Sequence, residues 1–468
     1  MSTIQQVTTS VDYNSAVLSV LMNNLTSTNF FPMAGLLVSS LTAILWPDSS
    51  SDVWSDIENN IEQLVGQQLS EEVSSSVQQY LSNLYPLIND YLVAVQGPIN
   101  NEKVTLYFNA LNALCVEVLN TLQVLDSDLL LLPIFVQVAN LQLGLQRDGI
   151  FHAKYWGWSE TQISTLIQNN SEAIQQYTAF VQGTYNQAYS HIVSTTPGNS
   201  HYTEPFNTIN AFVRGMTLIV LDFQSLWQYF DTTVYPRGSS SIYLDREIYS
   251  DALGTADNSG PIQLPSPPTK PIVAIQVWAW DRIDACQLYY EPNGGPDGVT
   301  QTPRMGDQNG GTVNIIYLQD PTVLPYKSIV SVTTLSGDIV NAITFTYSDG
   351  TTSGQLGGKY PGGEPSTFSY PNEILSSIKI MGISDYYGSA NCIVYGFKFD
   401  SGQLIFDPNV LRTLYVAAPS KLSSTDLASY VGAKDVDQLA ASIQQWSESE
   451  QWDDLRQKHW DNIYAQLH

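Results

Sequence analysis

Leu129-Leu-Leu-Leu-Pro-Ile-Phe-Val-Gln-Val-Ala-Asn-Leu-Gln-Leu-Gly-Leu-Gln-Arg-Asp148 sets the architecture of the N-terminal half. From Leu129 to Gln146 it carries no charged residue, and at helical spacing its apolar side chains point nearly all round. A helix of that kind is buried on every side, which predicts the hub of a helical bundle. It is also about 28 Å long at 1.5 Å per residue, close to the thickness of a bilayer core. The preceding segment, Val104–Val124, reads as a second helix of different character. Thr105, Asn109, Asn112, Asn120 and Gln123 fall on one polar stripe. Leu106, Leu111, Leu114, Val118 and Leu122 are expected away from it, and Glu117 at its flank. With the break at Asp126–Asp128 the two helices predict an antiparallel hairpin. In water it is a bundle core plus a wet face; in a membrane its stripe can line water, because each helix satisfies its own backbone.

Outward from the hairpin, helical periodicity places further helices near Pro32–Leu45, across Val53–Val95 with a break at Gly66–Ser70, and over Ser159–Ser190 and Glu204–Asp231. Phe30 to Trp46 is apolar but interrupted by Pro32, Ser39, Ser40 and Thr42, and is expected as a buried helix rather than a span. Near residue 255 the pattern changes. The proline-rich segment 256–271 reads as a linker, and 272–407 alternates at strand period with Gly-rich turns. Residues 408–468 return to a helical pattern, with Trp446, Trp452 and Trp460 among acidic and amide residues. The strand region holds a weak threefold repeat: Asp284-Ala-Cys-Gln-Leu-Tyr-Tyr before Asn293-Gly294, Asn341-Ala-Ile-Thr-Phe-Thr-Tyr before Asp349-Gly350, and Asn391-Cys-Ile-Val-Tyr-Gly-Phe before Asp400-Ser-Gly402. Three such strand-and-turn units predict three hairpin-based sheets around a pseudo-threefold axis, a β-prism.

The 468 residues suffice for two or three domains, and 18 Lys plus Arg stand against 44 Asp plus Glu. The net charge of −26 argues against nucleic acid as a partner and against electrostatic capture by anionic lipid. Residues 1–102 contain no Lys or Arg, so no secretory signal is expected and trypsin-like cleavage cannot occur before Lys103. Cys115, Cys286 and Cys392 have neither metal-ligand spacing nor a disulfide pattern, and the five His are scattered. Phosphate-binding, nucleophile-elbow and zinc-protease motifs are absent, so neither an enzyme nor a cofactor is expected. The carboxylate pairs Asp126/Asp128 and Asp453/Asp454 read as solvated charges.

Several ordered blocks over residues 30–255 resemble the insecticidal delta-endotoxin (Cry) family. They are Pro32-Met-Ala-Gly-Leu-Leu-Val38, Ile61-Glu-Gln-Leu-Val65, Leu132 to Asp148, Tyr155-Trp-Gly-Trp158, Thr217-Leu-Ile-Val-Leu-Asp222 and Leu244-Asp-Arg-Glu-Ile-Tyr-Ser-Asp251. The resemblance implies a seven-helix pore-forming domain around a central hydrophobic helix. It implies insertion of the hairpin that turns near Asp126 and Asp128, with Asn109, Asn112, Glu117, Asn120 and Gln123 lining the channel. It also implies a pair between Asp222 and Arg246 across the domain boundary. Gly337 to Gly350 and Glu373 to Gly382 are similar to jacalin-type lectins. That family's Gly-x-x-x-Asp sugar loop is approached by Gly337, Asp338 and Asn341 and by Gly388 and Asn391, neither with the final Asp. Asp385, Tyr386 and Tyr387 are aromatic-loop candidates beside it. The expectation is a toxin of 1–255 helical domain, linker, 272–407 prism and helical tail. Made without a signal peptide as a soluble or crystalline protoxin, it would meet a surface receptor or glycan and a target-cell membrane, and assemble as a homo-oligomer. A lectin-like binding or assembly protein without pore activity stands beside this reading. A carbohydrate-active enzyme is a more distant third.

Overall fold

The computed structural model describes residues 10–26, 34–46, 53–96, 100–125, 128–198, 202–235, 242, 244–256, 261–318, 327–358, 362–383 and 389–399. The expected tail, 408–468, lies outside them. The first half is a bundle of eight helices: α1 (Ser10–Thr26), α2 (Leu36–Leu45), α3 (Val53–Val65), α4 (Glu71–Gln96), α5 (Asn101–Val124), α6 (Asp128–His152), α7 (Glu160–Thr195) and α8 (Thr203–Met216). The last runs on through a π-helical turn, Thr217–Leu221, into α9 (Asp222–Leu226) and a 3-10 turn, Trp227–Phe230. Local chemistry sets the ends. Asn100 caps α5 by accepting from the Lys103 amide, and Ser159 with Gln162 forms a capping box at α7. Gly66, at a φ of 70°, ends α3 where the Val53–Val95 pattern is expected to break. Helix α1 is absent from the sequence reading. Its Val17, Leu18, Leu21 and Leu25 recur at helical spacing and are buried, but its low charge hid it within a generally apolar region.

Helix α6 is the hub, with every residue from Leu130 to Gly149 buried. It packs on α5, α7, α3 and α2.

The second half is a β-prism of three four-stranded sheets. In chain order its strands are β1 (Ile248–Tyr249), β2 (Leu253–Gly254), β3 (Ile272–Ala279), β4 (Ile283–Tyr290), β5 (Met305–Gly306), β6 (Thr312–Tyr317), β7 (Ile329–Ser336), β8 (Val340–Tyr347), β9 (Leu356–Gly357), β10 (Glu364–Phe368), β11 (Glu373–Ile383) and β12 (Ala390–Phe399). Two sheets follow the orders β5-β4-β3-β6 and β10-β7-β8-β9. In the third, β12 pairs with β11 on one side and with both β1 and β2 on the other. The strands β1 and β2 precede the linker, so residues 248–254 lie in a prism sheet although the composition break falls after them. The repeat strands of the sequence are β4, β8 and β12, each the second strand of its hairpin rather than the first.

The threefold repeat has a backbone cause. Each second strand takes a short partner ending in glycine: Met305-Gly306 on β4, Leu356-Gly357 on β8 and Leu253-Gly254 on β12. All three glycines have positive φ, 102°, 76° and 87°. A Cβ on each would meet the carbonyl oxygen of Asp284 at 2.3 Å, Asn341 at 2.6 Å and Asn391 at 1.9 Å, the equivalent position of each repeat. Only glycine permits both the backbone angle and the approach. Gly357→Ala is therefore expected to cost about 2 kcal/mol or more, read as a lowered midpoint in chemical denaturation; an unchanged midpoint contradicts this role. Leu141, fully buried in α6, should cost about 2–5 kcal/mol on truncation to Ala in the same assay.

Candidate functional site

Beyond the exposed first turn of α5, Asn101 to Lys103, the exposed positions are Leu106, Asn109, Ala113, Glu117, Asn120 and Val124, spaced three or four apart. Asn109, Glu117 and Asn120 thus share one outer face. Leu106, expected away from it, lies on it at 62% exposure, and Val124 extends it at 79%. Thr105, Asn112 and Gln123 occupy half-buried flanks, because the polar stripe drawn from the sequence straddles the boundary of the wet face. Thr105 Oγ1 accepts from Trp158 Nε1 at 2.7 Å. Asn112 turns towards α6, where its Oδ1 accepts from Gln142 Nε2 at 3.3 Å and Gln146 Nε2 at 3.2 Å. Asp128 is exposed in the first turn of α6. Asp126 lies outside the described residues.

The burial of α6 obliges each of its polar side chains to find a protein partner. Gln137 Nε2 donates to Asn14 of α1 at 3.2 Å. Asn140 Oδ1 accepts from Trp227 Nε1 at 2.7 Å. Gln142 Oε1 accepts from Tyr177 of α7 at 2.5 Å, and Gln146 Oε1 from Asn170 Nδ2 of the same helix at 3.1 Å. Arg147 donates to the carbonyls of Tyr229 at 2.8 Å and Tyr235 at 3.1 Å. Asp148 accepts from Tyr91 of α4 and, at 2.6 Å, from the amide of Gly35. Its carboxyl is pushed up by burial, against the opposing pull of His152 and of those donors. Among the described helices α6 alone is long and apolar enough to cross a membrane, and 89% of its most apolar stretch is buried here. A bundle hub meets the same test.

The boundary with the prism is the second feature. Helix α8 lies against the third sheet: Asn210 Nδ2 donates to the carbonyls of Tyr249 at 3.0 Å and Ser250 at 2.9 Å, and Arg214 to that of Tyr249 at 2.7 Å. Phe206 and Tyr202 pack on Cys392 and Val394, the outer face of β12. The π turn leads directly into Asp222, 2% exposed. The expected pair forms: Arg246 Nε donates to Asp222 Oδ1 at 2.9 Å and Nη2 to Oδ2 at 2.6 Å. The sequence did not reveal the third member. Glu373, at the start of β11 and 2% exposed, stands 2.8 Å from the same Nη2. The guanidinium also lies 4.3 Å from the Phe399 ring centroid. Nearby, Glu247 accepts from Ser376 at 2.5 Å, Ser377 at 2.6 Å and Tyr249 at 2.5 Å. The two carboxylates hold Arg246 charged, whereas burial outweighs Glu373's share of the guanidinium and pushes its carboxyl up to about 7. Burial raises Glu247 likewise.

At the prism's loop end, Gly337 to Ile339 form the tight turn between β7 and β8, with Gly337 and Asp338 exposed. Thr255 joins this turn to Asn391, its Oγ1 donating to the Asp338 carbonyl at 3.1 Å and its amide to the Asn391 carbonyl at 3.0 Å. Asn341 is 9% exposed, and its Nδ2 donates at 2.7 Å to the carbonyl of Gly362, whose neighbour Gly363 lies against Gly337. Asp385, Tyr386 and Tyr387 lie outside the described residues.

Residues 24–231 match the model of the delta endotoxin N-terminal domain. The helical domain is similar to that of the delta endotoxins over these residues. Pesticidal crystal protein Cry1Id of Bacillus thuringiensis is 38% identical over 146 residues, 31% of this chain and 19% of that protein. Cry9Ca of Bacillus thuringiensis subsp. tolworthi is 29% identical over 232 residues, 47% of this chain and 19% of that protein. The matched stretches thus span about a fifth of these relatives' length. Among solved structures, the Bacillus thuringiensis insecticidal crystal protein Cry7Ca1 superposes with a TM-score of 0.69 at 16% identity, over 86% of this chain and 76% of its own. PirB superposes at 0.62 and 15% identity, over 85% of this chain and 95% of its own. At such identities the likeness is one of fold, and it covers the prism as well as the helical domain.

Two outcomes test the domain boundary. Arg246→Ala leaves Asp222 and Glu373 buried without their cation and should cost about 3–5 kcal/mol. The Glu373 proton is held more tightly in the folded chain than in the unfolded one. Its stabilising effect is therefore complete below the ordinary carboxyl range and lost as pH rises through about 7. The melting temperature should fall between pH 5 and 8, and Glu373→Gln should flatten that slope. A slope unaffected by the substitution contradicts the assignment.

Proposed function

We propose that this protein is a pore-forming toxin. The prism binds a receptor or glycan on a target cell, and the bundle then opens so that the α5–α6 hairpin enters the membrane. The observation that carries this reading is the contrast within the hairpin. Helix α6 has the length and apolarity of a span yet is enclosed by its own chain. Helix α5 beside it has an outer face with Glu117 as its one charge between Lys103 and Val124. Asn109, Glu117 and Asn120 line the water-filled side in this reading. Opening breaks a packed core, so it requires a trigger and is followed by assembly of several copies.

Binding at the prism is assigned to the Gly337–Asp338 turn and the adjoining Asn391. The exposed Asp338 is the side chain there suited to a sugar hydroxyl. A lectin-like or assembly protein whose bundle stays closed is favoured by one observation, the hydrogen bonds that hold α6 to α1, α4 and α7.

Dye release from liposomes and target-cell brush-border vesicles, across pH and with or without protease, separates the two. A double-cysteine lock joining the hairpin to neighbouring helices, on a background lacking the three native cysteines, is the control. Release abolished by the lock and restored by reductant is the expected result; binding without release under any condition supports the closed-bundle reading. In planar bilayers Asn120→Asp should shift selectivity towards cations while leaving the melting temperature nearly unchanged. Unchanged single-channel behaviour removes Asn120 from the lining.

A further inference from the structure

Gln142 and Gln146 sit one turn apart on α6, and their two amide groups are used in opposite directions. Both Nε2 groups donate to a single acceptor, Oδ1 of Asn112 on α5, at 3.3 and 3.2 Å. Both Oε1 groups accept from α7, at 2.5 Å from Tyr177 and 3.1 Å from Asn170. One side of this buried chain of hydrogen bonds therefore lies within the hairpin. The other ties the hairpin to a helix outside it.

The two sides differ in what happens if the hairpin leaves the bundle. In water α5 and α6 are pressed together by the hydrophobic effect, with Phe108 of α5 lying against Gly149 of α6. In hydrocarbon that force disappears, because lipid tails are as apolar as leucine, and helix pairs depend on van der Waals packing and interhelical hydrogen bonds. The Tyr177 and Asn170 bonds are lost on departure. The Asn112 bonds are not, and they become stronger determinants of pairing once water is gone.

We propose that Asn112 is a positioning residue that clasps α5 to α6 through Gln142 and Gln146 and keeps the hairpin a single unit in the membrane, while Tyr177 and Asn170 form the lock released on opening. This rests on the pore-forming reading above. It moves Asn112 from the channel wall to the seam between the two helices. The bonds of Asn112 and those of Tyr177 look alike in the closed bundle, yet they act in opposite senses on pore formation.

The test compares Tyr177→Phe with Asn112→Leu, in melting experiments and in dye release from neutral phosphatidylcholine vesicles. Both variants remove partners of buried amides, so both should melt earlier than the parent. Tyr177→Phe should release dye faster, because it weakens only the lock. Asn112→Leu should release dye roughly fivefold to tenfold more slowly despite its weaker bundle. A disulfide placed between facing turns of α5 and α6 in Asn112→Leu, on the cysteine-free background, should restore release, and reductant should remove it again. If Asn112 only stabilises the closed bundle, Asn112→Leu releases dye as fast as Tyr177→Phe and the disulfide does not help; that outcome overturns the clasp. Should Asn112→Leu fail to fold, Asn112→Ala removes the same two clasp bonds without adding bulk, leaves the Tyr177 and Asn170 bonds in place and is judged by the same criterion. A parent protein that binds vesicles and releases nothing overturns the pore-forming reading and the clasp's role with it, a result distinct from a parent that releases dye and a variant that does so equally well.

Discussion

The enclosure of α6 is the constraint on which the bundle depends. A helix that keeps no face in water cannot leave a polar side chain unanswered, since each orphaned group costs more than a hydrogen bond returns. The chain answers with side chains or backbone groups from α1, α4, α5, α7 and the segments beside α2 and after α9. The arrangement of the helices around the hub is therefore specified by directional bonds as well as by apolar packing. Gln137 requires α1 beside it, Asp148 requires α4 and the turn before α2, and Gln142 requires α7. The same bonds define what has to be surrendered if the hub ever leaves.

The boundary between bundle and prism follows similar logic with charges. Asp222, Glu247 and Glu373 are three carboxyl groups in one poorly solvated region, with Arg246 as the guanidinium among them. Hydroxyls of Ser376, Ser377 and Tyr249 take up Glu247, and the Phe399 ring covers the cation. The π turn before Asp222 adds a residue to the helix just where the carboxylate has to meet Arg246. Docking of α8 on β1 and on Ser250 and Ala252 after it completes the contact. Residues at the edge of the third prism sheet thus bond directly to α8, so the two domains meet through a hydrogen-bonded contact.

Within the prism, one backbone requirement is repeated three times. The close approach of Gly306, Gly357 and Gly254 to the carbonyls of Asp284, Asn341 and Asn391 explains why the sequence repeat is weak in side chains yet regular in spacing. Both asparagines also adjoin the turn before β8: Asn341 through the Gly362 carbonyl, beside the contact of Gly363 with Gly337, and Asn391 through Thr255, which bonds to the Asp338 carbonyl.

The sequence alone reveals the hub helix, the hairpin, the break at Gly66, the three-sheet prism and the Asp222–Arg246 pair. These rest on periodicity, turn chemistry or a resemblance spread over ordered blocks, all of which are local in the chain. It missed α1, whose pattern merges with the apolar stretch that follows. It placed Leu106 inside and Asn112 outside, because a stripe on a helical wheel has no zero angle until a neighbour supplies one. Long-range packing selects the flank of α5 that faces α6, completes a sheet from β1 and β2 with β12 some 140 residues later, and gives Arg246 its second partner in Glu373. Those outcomes depend on contacts between distant segments and on which groups lose water together, and no local pattern encodes either.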